Sequence, residues 1–99
     1  MTQLLLLDGV DVDTAGDAAV VDGGGYTVVI EATSFGGGTV TLQGRYGKTG
    51  IWVVLTDNGV PAEYTKNSVR GLKDFARSME IRAVLSSSTG ASGVTVRLV

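Results

Sequence analysis

The chain has 99 residues, eight basic and ten acidic, with no histidine and no cysteine. That length fits one domain spanning residues 1–99 and buries only about 60 % of the surface an unfolded chain of this size exposes. It excludes a disulfide framework, a thiolate metal site, a cysteine nucleophile and a histidine base. Hydrophobic residues make up 43 % of the chain and charged ones 18 %, with a mean hydropathy of +0.26. This is too apolar for disorder, and its low charge points to self-association.

The first candidate strand is Gln3 to Leu7. Leu4 to Leu7 is too short for a signal-peptide core and has no basic residue before it, and no stretch approaches the roughly 20 apolar residues that span a bilayer. The expectation is a protein neither inserted in a membrane nor exported by the usual route. An acidic segment follows, "DVDTAGDAAVVD". Asp11, Asp13, Gly16 and Asp22 match positions 1, 3, 6 and 12 of a calcium loop, but Ala15 at position 5 and aspartate in place of glutamate at position 12 break the pattern. An acidic β-turn leading into a strand at Ala18 to Val21 is the favoured reading, with no metal expected.

From Tyr26 the apolar period is two. Tyr26, Val28, Ile30 and Ala32 alternate with Thr27, Glu31 and Thr33, and Val40, Leu42 and Tyr46 alternate with Thr39, Thr41, Gln43 and Arg45. These are half-buried strands, and Phe35-Gly36-Gly37-Gly38 between them predicts a hairpin. "DGGGYT" and "SFGGGT" lack phosphate-loop spacing and read as β-turns. Ile51 to Leu55 is apolar on both faces, which predicts a strand buried on both sides or covered by another subunit. Trp52 and Val54 are therefore candidate interface residues. A turn is predicted at Asn58-Gly59.

Residues 67–79 admit two readings. Val69, Leu72, Phe75 or Ala76, and Met79 fall three or four apart, with Ser68 as a candidate cap, which suits a short helix; Gly71 suits a loop followed by a strand through Lys73 and Phe75. In a helix Lys66, Arg70, Lys73 and Arg77 would form one basic stripe, so these four join the interface candidates for an acidic protein surface. Their bland alternative is a solvated face diluted by Asp74 and Glu80. Net charge is negative and aromatics do not interleave with the cations, which argues against nucleic acid.

Two further strands, Ile81 to Leu85 and Val94 to Leu98, flank the loop "SSTGASG". The fold class expected is all-β, an antiparallel β-sandwich or jelly-roll-like barrel of about seven short strands, with one short helix near 67–79 as an option. Residues 1–44 carry six acids and no base, and residues 45–99 carry eight bases and four acids. Such a chain can associate through opposite patches, or its strands can interleave and mix the charges. No paired carboxylates or nucleophile and base stand on a recognisable framework, so no catalytic, cofactor-binding or metal residue is assigned and an enzyme is not expected.

The order "GGGTVTLQ", then "IWVVL", then "IRAVLSSSTGASGVTVRLV" resembles small virion proteins of tailed bacteriophages, over residues 24–99. It departs from their pattern at "FARSME", where a glycine-containing turn is usual. The resemblance implies a β-sandwich or jelly-roll subunit that decorates or cements the capsid, or sits at the head-to-tail junction. Its partners would be the major capsid protein and its own copies, as a trimer for example. It would be assembled in the host cytoplasm and located on the virion, at the capsid surface before the neck or tail. A different class of reading is a glycan- or peptide-binding sandwich, with Tyr26, Tyr46, Tyr64 and Ser86 to Thr89 at its rim.

Overall fold

A computed structural model describes residues 4–57 and 59–99, with the side chains of Asp22, Asp57, Lys73, Asp74 and Ala76 left out. Among the described residues there are ten strands and no helix: β1 (Leu4–Val10), β2 (Thr14–Ala15), β3 (Ala19–Glu31), β4 (Thr39–Tyr46), β5 (Val53–Val54), β6 (Thr56–Asp57), β7 (Val60–Pro61), β8 (Glu63–Tyr64), β9 (Ser68–Ser86) and β10 (Val94–Leu98). All pairings are antiparallel. The main sheet runs β1-β10-β3-β9-β4-β5, with β2 also on β9 and β8 also on β4.

This sheet folds over on itself into an all-β sandwich because its two longest strands change layers. The first half of β9 pairs with β3 from Tyr26 to Ile30, and β10 and β1 extend that layer. The second half, residues 79–86, pairs with β4 on one edge and with Ala19 to Val21 and Thr14 to Ala15 on the other. The corner lies at Gly23 and Gly24 (φ 86° and 82°), opposite Ser78 (φ 62°). Register shifts there leave an extra residue on β9 at two places, at Ser78 and between Leu72 and Phe75. Bulges of this kind bend a strand and raise its twist, which lets one strand serve both layers. "DGGGYT" is thus the interior of a 13-residue strand and not a turn.

The inward faces form one core. Val28 and Ile30 (β3), Leu72 and Phe75 (first half of β9), and Val94, Val96 and Leu98 (β10) meet Val40 and Leu42 (β4) and Ile81, Ala83 and Leu85 (second half of β9). Strict alternation in β10 and residues 81–85 follows from burial of one face only, whereas in β4 Thr41 is buried between Val40 and Leu42. In β1 both Leu6 and Leu7 are buried, beside a bulge between Leu5 and Leu7.

Other sequence expectations change as well. Strands β3 and β4 do not form a hairpin: both pair with β9. The connection at residues 32–38 still makes the expected glycine turn, closed by Gly38 N donating to Phe35 O at 2.9 Å, but it crosses from one layer to the other. Strands β9 and β10 likewise have different partners, and loop 87–93 crosses back alongside the first crossing. Backbone bonds lock the two crossings together, Thr89 N to Gly36 O and Ser92 N to Ser34 O, each 2.8 Å. Of the two readings of residues 67–79 the strand holds and the helix does not: a 19-residue strand runs from Ser68 through Lys73 and Phe75. Interleaving also mixes the halves of the chain: β10 lies between β1 and β3, and Arg97 pairs with Glu31 at 2.6 Å.

Candidate interaction surface

With Val40, Leu42 and Gly44 turned inward on β4, the alternate residues Gln43 and Arg45 face out. Opposite them on β9 stand Arg82 and Glu80. Arg82 Nε donates to Gln43 Oε1 at 2.7 Å and Arg45 Nε to Glu80 Oε1 at 3.2 Å, both partly buried. Trp52 lies on this platform, with the guanidinium carbons of Arg45 and Arg82 4.4 and 4.3 Å from its ring. Each such cation–π contact is worth about 0.5–1 kcal/mol at an exposed site. Trp52 is therefore half-buried by its own chain.

The expected strand at Ile51 to Leu55 shrinks to Val53–Val54, paired with Gly44 and Gln43 of β4. Leu55 turns toward the core, and its N–H donates to Leu42 O at 3.0 Å. Its neighbours do the opposite: Ile51 is 85 % exposed, Val53 61 % and Val54 37 %. The apolar pattern on both faces thus reflects Trp52 on the platform, Leu55 in the core and three aliphatic side chains in contact with solvent. Tyr46, 65 % exposed, adjoins them, its hydroxyl donating to Arg77 O at 2.6 Å.

The hairpin of β6 and β7 follows, joined to the body where Ala62 N donates to Leu55 O at 2.8 Å and Leu42 N to Ala62 O at 3.0 Å. Of the predicted turn at Asn58-Gly59, Asn58 lies outside the described residues and Gly59 has φ 82°.

The four cations do not form a stripe. Lys66 lies in the loop before β9, and Arg70, Lys73 and Arg77 lie along it. Seven residues of strand span about 23 Å, against about 10 Å in a helix, so Arg70 and Arg77 act at different places. The backbone carbonyl of Arg77 accepts from the Tyr46 hydroxyl, at the end of the Trp52 platform. Lys66 and Arg70 line a cleft with Val60, Pro61, Glu63, Tyr64, Thr65 and Ser68. The side chain of Lys73 lies outside the described residues.

The acidic segment is spent on structure. Asp11 Oδ1 accepts from Gly93 N at 2.8 Å, and Asp13 Oδ1 accepts from Ser88 N at 2.9 Å and from the Ser88 hydroxyl. These bonds tie the start of the chain to loop 87–93 and hold the Asp13 carboxyl below the usual aspartate range, Ser88 being the chief cause. Gly16, the turn position of a calcium loop, instead donates its N–H to Ala83 O at 2.8 Å, as part of the sheet. Among the described residues no three acidic side chains converge on a metal-sized site.

Sequence reasoning missed Arg45, Arg82, Gln43 and Glu80 as the seat of Trp52. Their outward alternation was visible, but their meeting depends on the pairing of β4 with β9. Compared with known protein families, with curated proteins and with solved structures, the chain matches none.

Proposed function

We propose that this chain is a non-enzymatic structural subunit of a tailed-bacteriophage virion, a decoration or cement protein that binds the outside of the head. The observation that carries the reading is the exposed aliphatic ridge Ile51, Val53 and Val54, held in place by Trp52 on the Arg45–Arg82 platform. A ridge of this kind is suited to a protein surface. Covering two or three such side chains contributes a few kcal/mol, at about 25 cal/mol per Å² of apolar area. Such modest contacts reinforce a shell when repeated over many linked copies.

The partners in this reading are the major capsid protein and neighbouring copies of the same chain. The test is co-sedimentation of purified protein with heads assembled without it. Wild type pellets with the heads, whereas the I51D/V54D variant stays in the supernatant while unfolding at nearly the wild-type temperature. Equal pelleting of the two would remove the ridge from the account, and failure of wild type to pellet would remove the head.

A further inference from the structure

The two halves of β9 differ in how their edges are used. Residues 79–86 have a strand on each side, whereas residues 68–77 pair with β3 alone, and among the described residues no strand lies on their other edge. Strand β4 ends at Tyr46, opposite Met79, and the chain then turns away, with Gly50 N donating to Gly47 O at 3.1 Å. This leaves about 30 Å of strand edge whose alternate backbone N–H and C=O groups point outward, the last carbonyl, that of Arg77, accepting from the Tyr46 hydroxyl. Such an edge is a template for pairing with another strand.

Its surroundings narrow the choice of partner. From Lys66 to Arg77 the sequence carries four cations and one acid, Asp74. At the start of the edge lies the cleft of about 240 Å³ lined by Val60, Pro61, Tyr64, Lys66 and Arg70, with Glu63 as its one acid. We infer that this edge takes an extended acidic segment of a partner protein as an added strand. Backbone hydrogen bonds supply the affinity, the cations select acidic side chains, and the cleft receives an apolar side chain at the end of the added strand.

The same charges weigh against a second copy. Two such edges side by side would oppose segments that each carry a net charge of +3 over residues 66–77, four cations less Asp74. The acidic segment of another copy is already engaged, Asp11 and Asp13 with Gly93 and Ser88, and β2 and β3 within the sheet. The inference is separate from the virion reading, and its test requires no particle.

The experiment is amide hydrogen exchange on the full chain with three synthetic decapeptides: one alternating valine with glutamate, one alternating valine with lysine, and the glutamate peptide with a central proline. The glutamate peptide slows exchange at alternate residues within 68–77, and its affinity falls with added salt. The K66E/R77E variant changes two exposed side chains, so it keeps its melting temperature and binds about tenfold more weakly at low salt. Three results would each overturn the inference: no slowing within 68–77 by the glutamate peptide; equal binding of the lysine or proline peptide; or slowing there that depends on protein concentration without peptide, which would assign the edge to a second copy.

Discussion

Replacing Gly36 with alanine tests the cross-layer architecture at its tightest point. A Cβ built there lies 2.6 Å from Thr89 O and from Ala91 N, both backbone atoms, so the two crossings must separate by at least about 0.4 Å to restore a 3.0 Å contact. That movement strains the bonds from Thr89 N to Gly36 O and from Ser92 N to Ser34 O, each worth about 1 kcal/mol net. Gly36 also has φ 59°, which costs a residue with a side chain about 1–2 kcal/mol. The sum for Gly36→Ala is about 2–4 kcal/mol. Its neighbour is the control: Gly37 has φ 74° and nothing within 4 Å of a built Cβ, so Gly37→Ala incurs only the conformational cost of about 1–2 kcal/mol. Urea and thermal unfolding of both variants should differ by about 1–2 kcal/mol, or roughly 5–15 °C in Tm, with unchanged dependence on urea. Equal destabilisation of the two would refute the packing of the crossings on each other.

Other substitutions probe separate parts of the structure. At the corner of β9, Ser78→Val places a β-branched residue at φ 62° and should cost about 2 kcal/mol, while Ser78→Gly loses nothing measurable in the same urea titration; equal loss in both would argue against the bulge. A double-mutant cycle of Trp52→Leu with Arg82→Gln should return a coupling of about 0.5–1 kcal/mol, and zero coupling would detach the ring from the platform. Asp13 titrates at a lower pH folded than unfolded, so its contribution to stability is full above the ordinary aspartate pKa of about 3.9 and fades as pH falls through the folded value. Ser88→Ala should bring the Asp13 pKa back up, as followed by carboxyl NMR, and remove that part of the acid sensitivity of Tm.

The alternation in Ile81 to Leu85 and Val94 to Leu98 was legible because each strand buries a single face, while in Thr39 to Tyr46 it holds only in part, Thr41 being buried and Tyr46 exposed. The pairing partners were not. Phe35-Gly36-Gly37-Gly38 has the composition of a hairpin loop, yet Thr39 pairs with Ser86, a contact whose specificity resides in the core and not in neighbouring residues. The helical spacing of Leu72, Phe75 and Met79 has a physical cause. A bulge adds one residue to a period of two, so Leu72 and Phe75, three apart across the first bulge, both face the core. Lys66, Arg70, Lys73 and Arg77 inherited that false period and appeared to be one patch. Trp52 was singled out as an interface candidate, and its ring rests on its own chain against Arg45 and Arg82. Its seat was hidden because Arg45 and Arg82 lie 37 residues apart in the sequence and meet only through the β4 to β9 register.

The proposed place on a phage head is tested most directly by immunogold electron microscopy on phage particles released from cells that express the chain, with antibody raised against the purified protein. The account predicts gold spread over the head surface. Gold confined to the neck or tail, or its absence from both intact and opened particles, would contradict it.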